Sequence, residues 1–110
     1  MAYDKVLAER IRLLLAAQPG LSERKMFGGI GFMLHGNMAC GVIGDRLIVR
    51  VGLDRYKEML TLPHTHLFDT TGRPMRGWIT VSPEGYASED DLKSWLDRAV
   101  DFARTLPPKS

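Results

Sequence analysis

Only one cysteine, Cys40, stands among the 110 residues, which rules out an internal disulfide and any multi-cysteine zinc site. A reducing compartment suits such a chain. Long apolar runs are missing too. Stretches such as Leu13 to Ala17 are far too short to cross a bilayer, and Met1 to Lys5 lacks the basic region and apolar run of a secretory signal. A cytoplasmic protein without membrane contact is therefore the expectation. There is little net charge: +2 is too weak to mark a nucleic-acid binder. Internal repeats and low-complexity stretches are absent as well.

What is present is ordinary globular composition, 45% hydrophobic and 25% charged, at the usual length of one domain. Residues 1–106 are expected to fold as a single domain, with 107–110 as a loose tail rich in proline. The charge is unevenly spread. Residues 1–20 carry +1, 21–82 carry +3 and 83–110 carry −2, so the basic excess falls on the middle of the chain.

Hydrophobic spacing then supplies the elements. Tyr3, Leu7, Ile11, Leu14 and Leu15 recur at helical spacing from Tyr3 to Gln18, and Pro19-Gly20 stops that helix. Val6 and Leu13 fall outside its core stripe. From Lys25 the period becomes two. Met26, Ile30, Phe32 and Leu34 share one face of a strand, and Phe27, Gly29, Gly31 and Met33 the other. His35-Gly36-Asn37 is a turn, Met38 to Ile43 a second strand, Gly44-Asp45 a two-residue hairpin turn, and Arg46 to Val51 a third strand. There Leu47, Val49 and Val51 face one side, and Arg46, Ile48 and Arg50 the other.

Leu53 to Leu60 is a short helix and Thr65 to Asp69 is extended. Thr71-Gly72-Arg73-Pro74 is a turn, and Gly77 to Ser82 a further strand that Pro83-Glu84-Gly85 breaks. Ser88 is placed to cap a closing helix whose first turn holds Glu89, Asp90 and Asp91, and whose apolar stripe runs Leu92, Trp95, Leu96, Ala99, Ala103, Leu106. The order α-β-β-β-α-β-β-α gives an α+β two-layer sandwich, an antiparallel sheet of about five strands with helices on one face.

Few residues offer chemistry. His64 and His66 would point to one side of a strand, as two metal ligands must, but no third ligand is spaced to join them. Cys40 lies mid-strand between Ala39 and Gly41, where a small thiol packs well and nothing resembles a nucleophile elbow. The glycines of Phe27-Gly28-Gly29-Ile30-Gly31 follow a loop and open no helix, so they form neither a Rossmann fingerprint nor a phosphate-binding loop. They read as steric instead: at least one of Gly28 and Gly29 should have positive φ or lie against a neighbouring backbone. Basic and apolar residues at strand entrances and turns form a candidate interaction surface of Arg24, Lys25, Phe27, Arg46, Arg50, Arg73, Met75 and Arg76. Surplus apolar residues on Val6, Leu13 and the second sheet face suggest a two-fold homodimer.

Four motifs in order carry a family resemblance. They are Lys25-Met26-Phe27-Gly28-Gly29-Ile30-Gly31-Phe32, Asp45 to Val51, Gly72-Arg73-Pro74-Met75, and Trp95 in the closing helix. Together they resemble the N-terminal domain of the TfoX/Sxy family, with Gly28, Gly29, Pro74 and Trp95 as its structural signature. The resemblance covers about residues 3–105. It implies a fold similar to type III secretion chaperones, and a regulator linked to natural competence and DNA uptake. The full-length proteins are understood as transcriptional coactivators acting with the cyclic-AMP receptor protein, and carry a second, helical C-terminal domain. The present chain is expected to be a stand-alone copy of the first. The family supplies no catalytic residues, and no cofactor is expected. A non-enzymatic regulatory module that binds a protein partner is the leading reading. A small-ligand or enzymatic domain using Cys40, His64 and His66 is the alternative. Weak direct nucleic-acid binding through the middle of the chain is a third.

Overall fold

The computed structural model describes residues 3–26, 28–69 and 72–108. Helix α1 (Lys5–Leu15) opens on an Asp4 cap whose carboxylate accepts the Leu7 N–H at 3.0 Å. Leu7, Ala8, Ile11 and Leu15 are buried, while Tyr3 and Leu14 pack part-buried at the margin. The helix ends three residues before Gln18, because chain entering Pro19 is pushed out of helical geometry.

Six strands follow, all antiparallel: β1 (Leu21–Met26), β2 (Gly29–Leu34), β3 (Asn37–Ile43), β4 (Arg46–Arg50), β5 (Thr65–Asp69) and β6 (Pro74–Val81). Their spatial order is β1-β2-β3-β4-β6-β5. This corrects two expectations. The single strand read across residues 25–34 is a hairpin, with Met26 paired to Gly29 and Gly28 at φ 76° reversing the chain. The sheet therefore has six strands, one above the expected count of about five, because β1 is an edge strand of Ser22, Glu23, Arg24 and Lys25 with no apolar alternation to reveal it. Strand β6 also begins earlier than Gly77: Pro74 opens it, a position where a missing N–H costs no ladder bond. His35 and Gly36 both have positive φ, the turn geometry that matches strand twist in a two-residue hairpin.

Register sorts the side chains into two faces. Phe32, Cys40, Val49 and Ile79 are partners in one cross-strand row, and Ile30, Val42, Leu47 and Val81 in the next. Both rows are buried in a core shared with α1 and α3 (Glu89–Ala103). Helix α3 is capped as its sequence predicts, with Ser88 Oγ accepting the Asp91 N–H at 3.1 Å, and it packs across β3 and β4. Leu92, Trp95, Leu96, Ala99 and Ala103 face inward, and the Trp95 indole donates to the Gly85 carbonyl at 3.2 Å. Helix α2 (Leu53–Met59) lies against β6 and adds Met59 to the same core. Tyr86, beside a single 3₁₀ turn (Pro83–Gly85), donates its hydroxyl to the Asp45 carbonyl at 2.6 Å, pinning the β3–β4 turn to the approach of α3. At the chain's end Asn37 donates to the Pro107 carbonyl at 2.8 Å. No helix among the described residues is long and apolar enough to cross a membrane.

Candidate functional site

With the helices gathered on one side, the other face of the sheet has no second layer among the described residues. Its central row runs Arg24, Gly31, Gly41, Ile48, Thr80, His66 across all six strands. Glycine at both Gly31 and Gly41 leaves a depression at β2 and β3. Two methionines lie over it: a Cβ placed on Gly41 would meet Met38 Cε at 3.0 Å, and one on Gly31 would meet Met38 Cε at 3.2 Å and Met26 Cε at 3.3 Å. One flank of the row holds Met26, Ile43 and Arg46. The other holds Met33, Met38, Arg50 and Trp78. The methionines, Ile43 and Trp78 are half-buried, and Ile48 is fully buried. Thr80 is also buried, and its hydroxyl has no hydrogen-bond partner among the described residues.

The electrostatics of this face are one-sided. Arg24 and Arg46 are exposed on it and pair with no carboxylate among the described residues. Arg50 is half-buried at the end of the sheet, its guanidinium 4.9 Å from the Trp78 ring centroid and 5.4 Å from that of Phe102, with one bond of 3.3 Å to the Met38 carbonyl. Burial lowers its pKa, and among the described residues it has no ion-pair partner to offset that loss of hydration. The one carboxylate in β1–β4, Glu23, belongs to the opposite face. Arg12 of α1 takes it there with contacts of 2.5 and 2.9 Å, and those hydrogen bonds hold the Glu23 carboxyl below its ordinary pKa. The acidic group of those four strands is thus spent on the helix side, and the part of the uncovered face that they form keeps only cations.

Of the sequence-derived surface, the fold brings Arg24, Arg46 and Arg50 to this face. Lys25 pairs with Ile30 and so takes the helix-side parity, exposed at the sheet's edge. Arg73 and Arg76 are exposed and Met75 half-buried at the start of β6. Phe27 and the Thr71 end of the predicted turn lie outside the described residues. Sequence reading counted Met33 among the surplus apolar residues of the second sheet face but did not single out Met38 as a contact residue. The signal available was their alternation with Gly31 and Gly41, but the β-bulge at Phe32/Met33 shifts that register.

The catalytic alternative depends on Cys40, His64 and His66 converging, and they do not. Cys40 is fully buried on the helix side of β3. His66 belongs to the opposite face of β5, three strand spacings away, about 14 Å. His64 precedes β5 at φ 67°. No three His, Cys, Asp or Glu among the described residues are grouped to hold a metal. Burial pushes the Cys40 thiol up to about 12, the reverse of an activated nucleophile. Dithionitrobenzoate should therefore label Cys40 in the native protein no faster than global unfolding exposes it. Stoichiometric labelling within seconds at neutral pH would show an open thiol instead.

A second concavity, a cleft of about 660 Å³, lies between α2 and α3. Val51, Met59 and Phe102 line its floor, and its rim carries Asp54 and Asp101 as well as Arg55 and Arg98. Charges of both signs cancel there, so the cleft favours no class of ligand. No curated protein matches the chain. The family model of the TfoX N-terminal domain matches residues 13–103, more than four-fifths of its length. That match places the chain in the TfoX N-terminal domain family: the chain belongs to it.

Proposed function

We propose that this domain is a non-enzymatic regulatory module that works by binding another protein through the uncovered face of its sheet. The observation that carries the reading is the composition of that face across β1–β4: cations and half-exposed methionines, with no carboxylate in those four strands. The family points to regulation connected with competence and DNA uptake, and a partner in the transcription machinery fits that setting. A two-fold dimer belongs to the same proposal. It would use Val6 and Leu13 of α1, 72% and 68% exposed, because two arginine faces brought together would repel.

The test compares the wild-type chain with an Arg24→Glu/Arg46→Glu variant, each cross-linked and purified from the source cell. Both positions are exposed, so the fold should survive; circular dichroism checks that it does. One partner captured by the wild type should vanish from the variant. If the same proteins are recovered from both, the binding surface is elsewhere. Direct nucleic-acid binding predicts something else, a salt dependence that scales with the phosphates neutralised. Three arginines give a log–log slope no steeper than about −3, far from the steep dependence of a dedicated DNA binder.

A further inference from the structure

The uncovered face has dimensions that select among possible occupants. Its two flanking rows lie four residues apart along the strands, about 13 Å. An α-helix with its side chains is about 10–12 Å across, so it fits between them, running across the strands. An extended peptide fits poorly, because its affinity comes from main-chain hydrogen bonds and β2, β3 and β4 are each paired on both sides. From β1 to β4 the groove is about 14 Å long, nearly three turns of helix.

Chemistry narrows the choice further. Single-stranded nucleic acid needs free aromatic faces on which to stack bases. Trp78 is already engaged by Arg50 at 4.9 Å and by Phe68 at 6.2 Å. A second copy of the chain would set arginine against arginine. What remains complementary is an apolar stripe for the methionines and the glycine floor, flanked by negative charge for Arg24, Arg46 and Arg50. Methionine suits such a role, since its unbranched chain can swing off Gly31 and Gly41 and repack around a ligand. From these facts we propose that the face is a groove for one acidic amphipathic helix of a partner protein, its apolar stripe on Met26, Met33, Met38 and Ile48 and its Asp or Glu residues toward the three arginines. This deepens the reading of the chain as a protein-binding module and rests on it.

The experiment selects from a displayed library of random 16-residue peptides against the intact chain. Enriched sequences should carry Asp or Glu beside apolar residues spaced three and four apart. They should bind Arg24→Glu/Arg46→Glu at least about tenfold more weakly than wild type, since reversal turns two attractive rim pairs repulsive. In the ¹³C-methyl spectrum the Met26, Met33 and Met38 signals should move on peptide addition, while Met59, in the α2–α3 cleft, should not. Enrichment of basic or uncharged peptides, or no enrichment, overturns the proposal. So does movement of Met59 alone, which would place the site in the cleft. So does displacement of the peptides by an equal concentration of a single-stranded oligonucleotide, or a dimer of the free chain in sedimentation equilibrium that masks the three methionines. If the helix chemistry fails but the cellular partner is still lost in the double variant, only the helix chemistry falls. If both fail, the binding-module reading falls with it.

Discussion

Gly29→Val is expected to yield no soluble native protein, while Gly28→Ala folds with reduced stability. The two glycines are neighbours but are needed for different reasons. A Cβ on Gly29 would run into the carbonyl oxygen of Val42, a backbone atom in the middle of the sheet. No rotamer change can relieve that contact, because β3 is held on its other side by β4. Strand β2 would have to leave β3, and with it would go the pairing that buries Ile30 against Val42 and Phe32 against Cys40. Against a total stability of about 5–15 kcal/mol, the loss of a central pairing is not survivable. Gly28 has a different requirement, a φ of 76° at the β1–β2 reversal. Alanine can adopt it at a cost of roughly 1–2 kcal/mol, and the domain absorbs that. Soluble yield and a thermal melt followed by circular dichroism decide the matter. A cooperative Gly29→Val transition near the wild-type midpoint would show that the strands can shift to admit a side chain.

That same pair of residues marks how far the sequence could be read. Apolar alternation located β3 and β4 to within a residue, because both strands have one face in a core and hydrophobic side chains must repeat every second position. The closing helix was legible for a similar reason: Ser88, three acidic residues and a helical stripe all agree. Strand β1 was hidden because an edge strand is stabilised on one side only and is protected from further pairing by charge, which in sequence looks like a loop. Arg46 and Arg50 could be assigned to the second face from periodicity alone. Their alignment with Arg24 and Trp78 could not, since it depends on the hairpin at Gly28 and on β6 entering the sheet beside β4. The separation of Cys40 from His66 is topological too: one residue of strand parity and three strands of distance set them apart. The hydroxyl bond from Tyr86 to Asp45 spans 41 residues of sequence and leaves no local signal.

Leu96→Ala should lower the unfolding free energy by about 2–5 kcal/mol, the range for removing a buried leucine side chain and leaving a partial cavity. Leu96 is 1% exposed in the middle of α3, flanked by Leu92 and Ala99 on the face that covers β3 and β4. The helix is anchored at its first turn by Ser88 and by the Trp95 bond to Gly85, so it cannot simply slide inward to fill the gap. The matching control is Leu53→Ala. Leu53 is the same side chain on another helix, but 68% exposed, and truncation there should cost about 0.5 kcal/mol or less. Urea titration of both variants measures the contrast directly, with the midpoint moving and the slope unchanged if only packing is altered. A loss below about 1 kcal/mol for Leu96→Ala would mean that α3 does not cover the sheet. The uncovered face would then no longer be the only one open to a partner, and the assignment of the docking surface to the arginine side would lose its basis.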